Sequence, residues 1–119
     1  DVTCNARPVT VLQVHGDADD IIRYQGGIAL SKTGLPPHPS ARATMKAWAT
    51  REHCNPLPGT GGSIDLEPKL PEEETDVLRY SGCDRPVELW TVKGGSHYIG
   101  TGSTAQGLIY SFLDGKSRR

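Results

Sequence analysis

The chain has 119 residues, with 13 basic and 14 acidic side chains, a formal net charge of −1, 35% hydrophobic and 6% aromatic residues, and 14 glycines and 9 prolines. Without a basic stripe to track a phosphate backbone, nucleic acid is excluded as an expected partner. No apolar run nears the roughly 18 residues of a membrane span. So small a core among so many loops is expected of part of a larger domain, and an opening on Asp1-Val2-Thr3-Cys4 without an initiator Met is expected of a processed or cut product.

Val9-Thr10-Val11-Leu12-Gln13-Val14 is dense in β-branched residues between Pro8 and Gly16 and predicts a buried strand. His15-Gly16-Asp17-Ala18-Asp19-Asp20 follows at its carboxyl end, where residues of an open parallel sheet face the ligand crevice. Gly34-Leu35-Pro36-Pro37-His38-Pro39 predicts an irregular exposed stretch. Ser40 is a candidate N-cap for a helix over 41–53, with Ala41, Met45, Trp48 and Ala49 on one face and Asn55-Pro56 as its stop.

The 57–75 segment, with Gly59-Thr60-Gly61-Gly62 and Glu72-Glu73-Glu74, predicts a solvated irregular loop, and its spacing lacks the pattern of a Ca²⁺ loop. Strands are expected at about 76–80 and over Val87-Glu88-Leu89-Trp90-Thr91-Val92, the second closed by Gly94-Gly95-Ser96-His97. Ala105, Leu108, Ile109, Phe112 and Leu113 recur at helical spacing, with Ser103 or Thr104 as N-cap and Gly115 as stop. Strand, helix, strand, helix reads as the tail of an α/β sheet without a second domain. The basic tail Lys116-Ser117-Arg118-Arg119 reads as a solvated terminus.

None of Cys4, Cys54 and Cys83 belongs to a CxxC pair, and the histidines are scattered, so no metal site is expected. A Cys54–Cys83 disulfide would close a loop of about 30 residues and leave Cys4 for a partner elsewhere, whereas three buried free thiols would place the chain in a reducing compartment.

Chemistry concentrates past the strand ends. An acid that orients an imidazole must accept its Nδ1–H, and Asp17, Asp19 and Asp20 on one side with His97 on the other suit that role. In α/β-hydrolases the triad runs nucleophile, acid, histidine, which is the order found here for the last two. His15-Gly16-Asp17-Ala18-Asp19-Asp20-Ile21-Ile22-Arg23-Tyr24-Gln25-Gly26-Gly27 resembles the HGTAD-x-x-VPY-x-GG segment of the polyhydroxyalkanoate depolymerase and feruloyl esterase families. Val87 to His97 resembles their PVELWTVEGGGH segment, and Trp48-Ala49 leading to Cys54, with Tyr80-Ser81-Gly82-Cys83, resembles their helix and half-cystines.

The resemblance implies the C-terminal part of an α/β-hydrolase fold, with parallel strands, helices and an incomplete sheet. It implies a secreted serine ester hydrolase without a cofactor, Asp19 as the triad acid, His97 as the general base and a Cys54–Cys83 disulfide; Tyr98 is a separate candidate substrate contact. Asp17 replaces a usual Thr, Arg23 a usual Pro, and Tyr98-Ile99-Gly100 an aromatic-proline stretch, departures that bear on substrate preference more than on mechanism.

The nucleophile of these families lies in a G-x-S-x-G elbow. Ser31, Ser40, Ser63, Ser81, Ser96, Ser103 and Ser111 do not fit it: Asp65 and Tyr98 stand where Ser63 and Ser96 would need the second glycine. The expected partners are therefore a polyester or plant cell-wall ester and an upstream segment or second chain bearing the nucleophile. The alternatives are a non-catalytic remnant or interaction module, and a serine peptidase of the prolyl-oligopeptidase type, whose acid loop also reads HG-x-x-D.

Overall fold

The computed structural model describes residues 7–31 and 34–115. Strand β1 (Val11–Gly16) is followed by two short strands, β2 (Gly27–Ile28) and β3 (Pro37–His38), and by helix α1 (Ala41–Arg51). Then come β4 (Gly59–Ile64), β5 (Thr75–Arg79), β6 (Val87–Val92) and helix α2 (Ser103–Asp114). Cys4 and the basic tail lie outside the described residues.

The main sheet has the order β1-β6-β5-β4, and β2 pairs antiparallel with β3 in a small sheet of its own. The molecule is thus a small α/β domain with a mixed four-stranded sheet and two helices, which corrects the expectation of parallel strands. β1 runs parallel to β6, in register from Val11↔Val87 to Gly16↔Val92, but β5 is antiparallel to both β6 and β4. The seven residues 80–86 between β5 and β6 are too few for the dozen or so that a parallel crossover needs.

Side-chain alternation along the strands feeds two cores. Val87 and Leu89 pack with Ala41, Met45 and Ala49 of α1 on one face, joined by Tyr24 and Tyr80. Trp90, Val92 and Val77 pack with Ala105 and Phe112 of α2 on the other, with Leu12 and Val14 of β1 against them. Two such layers over one sheet explain why β6 is apolar at most positions: it is buried on both faces. Its one carboxylate, Glu88, is 1% exposed and accepts from Arg79 Nε at 2.7 Å and Trp90 Nε1 at 2.9 Å.

Ser40 caps α1 by accepting from the Ala43 amide at 3.0 Å. The helix ends at Arg51, before the expected stop, because His53 turns into the left-handed region at φ 59°. In α2 the N-cap is Gly102 rather than Ser103 or Thr104, and Gly115 closes the helix at φ 77°.

The segment 57–75 is not irregular throughout. Its glycines form β4, because ladder hydrogen bonds need only backbone, and at Gly61 a side chain is excluded: a Cβ there would lie 2.5 Å from Val77 Cγ1. The stretch around Pro37 likewise holds β3. Cys54 and Cys83 form a disulfide that ties the end of α1 to the β5–β6 turn. In the chain-entropy account, closing a loop of this size stabilises by about 3.6 kcal/mol.

Candidate functional site

Because β1 and β6 are parallel neighbours, the loops that leave their carboxyl ends lie side by side. Their approach depends on Gly16, where a Cβ would come 2.2 Å from the carbonyl oxygen of Gly95. The two loops are then stitched together: the Asp17 amide donates to Val92 O at 3.1 Å, the Ala18 amide to Gly95 O at 2.9 Å, and the Gly94 amide to Asp17 Oδ1 at 2.8 Å.

This arrangement brings Asp19 to His97, with His97 Nδ1 2.9 Å from Asp19 Oδ2. A carboxylate only accepts, so Nδ1 carries the proton and the neutral ring presents Nε2 as a lone pair. The Asp19 side chain is 5% exposed and the His97 side chain 37%, so the acid is enclosed while the ring reaches the surface. Asp19 Oδ1 accepts from the amides of Ile21 and Ile22, each at 2.9 Å, which fixes the carboxylate's rotation. Burial works against its charged form, but the hydrogen bond from His97, the amides of Ile22 and Ile21, and the charge of His97 outweigh it and hold the Asp19 carboxyl below its ordinary 3.8.

Asp17 and Asp20 are exposed, and neither contacts His97 in any described hydrogen bond; Asp17 instead serves the loop junction. Tyr98 is 77% exposed and meets the His97 ring edge-on, with centroids 5.2 Å apart. A second histidine–carboxylate pair, His53 with Asp84, has a different setting. Its side chains are 76% and 42% exposed, and the hydrogen bond that His53 donates to Asp84, the charge of Asp84 and that of Glu52 raise His53 against the opposing effect of desolvation. It lacks the enclosed, amide-fixed carboxylate of Asp19.

Sequence reasoning missed His15, which packs against the same acid. Its Nε2 lies 2.7 Å from the Ile22 carbonyl oxygen and 3.3 Å from Asp19 Oδ2. The period of two in a strand was the available signal: Gln13 and His15 share a face of β1, at the end nearest the acid loop.

A cleft of about 280 Å³ opens between the loops, lined among others by His15, Asp19, Ile22, Ser96, His97 and Ile99. A wider groove of about 510 Å³ over Asp17, Arg42, Asp76 and Lys93 does not reach His97. Among the described residues, no serine hydroxyl bonds to His97, and no group of three or more His, Cys, Asp or Glu is placed to hold a metal ion. No helix of the described residues is long and apolar enough to cross a membrane.

No protein-family model matches the chain, and no solved structure does. It is similar to feruloyl esterase B of Piromyces equi, at 29% identity over 110 residues. The match covers 90% of this chain and 19% of that protein, so the chain spans less than a fifth of the relative's length. The likeness supports an esterase-like relationship.

Proposed function

We propose that this chain supplies the acid and the base of a secreted serine carboxylic ester hydrolase, the nucleophilic serine coming from polypeptide outside it. In this reading the serine hydroxyl attacks the ester carbonyl while His97 Nε2 takes its proton. His97 then returns that proton to the departing alcohol, leaving an acyl-enzyme. Water, deprotonated by the same nitrogen, releases the acid and restores the serine. Asp19 holds the ring with Nε2 outward and stabilises the imidazolium formed in each half-reaction.

The observation that carries the reading is the enclosed Asp19 carboxylate, held by two amides and turned onto the Nδ1 of a surface-reaching imidazole. The likeness to a feruloyl esterase supports the ester as substrate, and the Cys54–Cys83 disulfide supports an oxidising, extracellular setting. β1 is an edge strand of the main sheet, with Leu12 and Val14 only partly buried, which suits the pairing of a further strand there. Tyr98, exposed beside the ring, is proposed as a contact for the substrate's acyl or alcohol group.

Labelling with a fluorophosphonate tests the division of roles. A protein containing this chain with its nucleophile segment is expected to be labelled and to hydrolyse a 4-nitrophenyl ester, whereas the 119-residue chain alone stays unlabelled. Labelling of a serine within this chain would contradict an outside nucleophile. Cleavage by the longer protein of peptide amides but not esters would favour the peptidase reading, and no turnover of either would favour a non-catalytic remnant.

A further inference from the structure

The Asp19 carboxylate has a second imidazole beside it, and that ring is itself held from behind. A carbonyl only accepts, so His15 Nε2, 2.7 Å from Ile22 O, must carry the proton. His15 Nδ1 is then a lone pair, which accepts from the Gln13 side-chain amide at 3.2 Å. The ring also meets Tyr24 edge-on at 5.5 Å, and the Tyr24 hydroxyl is anchored to Thr91 Oγ1 at 2.7 Å. Its side chain is 11% exposed.

We propose that His15 is a positioning residue of the site: its Nε2–H, donated to the Ile22 carbonyl beside Asp19 Oδ2, closes the acid loop and keeps His97 in its Nδ1–H form. The proposal rests on the reading of Asp19 and His97 as acid and base. The hydrogen bond from β1 to Ile22 O spans the turn that carries Asp19, and the amide of the same Ile22 donates back to Asp19 Oδ1. Opening the turn therefore frees one carboxylate oxygen from its amides and lets the other swing away from His97. The Nε2–H also adds a polar neighbour 3.3 Å from Oδ2, the oxygen His97 uses. Tautomer matters because a His15 protonated on Nδ1 would face both Ile22 O and Asp19 Oδ2 with a lone pair, repelling each.

The tautomers can be read directly from long-range ¹H–¹⁵N correlation of the imidazole rings in the ¹⁵N-labelled 119-residue chain, without turnover. The failure of this proposal is thus distinct from failure of the hydrolase reading, which esterase activity tests. Wild type is expected to show His15 as the Nε2–H form and His97 as the Nδ1–H form. In His15→Phe, which keeps a ring against Tyr24 but donates nothing, the His97 Nδ1 proton is expected to exchange about tenfold faster, the factor expected for losing one hydrogen bond of ordinary strength. In His15→Gln, whose amide nitrogen can reach the same carbonyl, that protection should largely return. Finding His15 as the Nδ1–H form in wild type overturns the proposal even if neither variant folds. So does an unchanged His97 signal in His15→Phe, or equal loss in both variants.

Discussion

The carboxyl of Asp19 keeps its charge in an enclosed position because its oxygens are met by proton donors: two amides on Oδ1, and the His97 ring on Oδ2. Losing that charge costs the folded state more than the unfolded one, and the sign follows from linkage. A carboxyl held below its ordinary 3.8 contributes stability that is fully present above that value and is lost as pH falls through the lower folded value. Asp19→Asn removes this contribution. The urea midpoint of the wild-type chain is therefore expected to fall more steeply than that of the variant on acidification below about pH 4; parallel midpoints over that range would contradict it. Reading three neighbouring aspartates from residue types left Asp17, Asp19 and Asp20 open at that level, since a turn former and an enclosed acid look alike in one dimension. Burial separates them, and burial here depends on how the 16–24 loop folds against residues about 75 positions away.

The helices and β6 could be read from the sequence because their signals are local. A serine before an apolar period of 3.6 marks the start of α1, glycine after such a period marks the end of α2, and a run of apolar and β-branched residues marks the twice-covered strand. β4 could not be read in this way. Four of its neighbouring residues, Gly59-Thr60-Gly61-Gly62, carry the composition of a loop, and only the partner strand makes them a strand. The contact at Gly61 gives this a measurable form. Gly61→Ala forces a methyl to within 2.5 Å of Val77 Cγ1 and is expected to destabilise the chain by about 1–3 kcal/mol in chemical denaturation. Gly59→Ala, where a Cβ meets nothing within 4 Å, should stay within about 0.5 kcal/mol of wild type. Equal effects would mean that β4 does not pack on β5 as described. The mixed strand directions were hidden for a related reason: a connection's length limits direction only once both strands are known.

Across the whole molecule, the sheet holds two cores apart and two loops together. α1 and α2 cover opposite faces, the disulfide closes the end of α1 onto the β5–β6 turn, and the parallel β1–β6 pair delivers Asp19 and His97 to the same end. Everything proposed about function depends on that delivery, and the most direct test is turnover by a protein in which this chain is joined to a nucleophile segment, as proposed above. Steady-state hydrolysis of a 4-nitrophenyl ester should lose roughly 10³–10⁴-fold in kcat in Asp19→Asn, with KM little changed, because the ring then loses its tautomer and its counter-charge in the transition state. Asp20→Asn, altering an exposed neighbour, should leave kcat near wild type. An Asp19→Asn enzyme with full kcat, or an equal loss in Asp20→Asn, would contradict the assignment of Asp19 as the acid that orients His97.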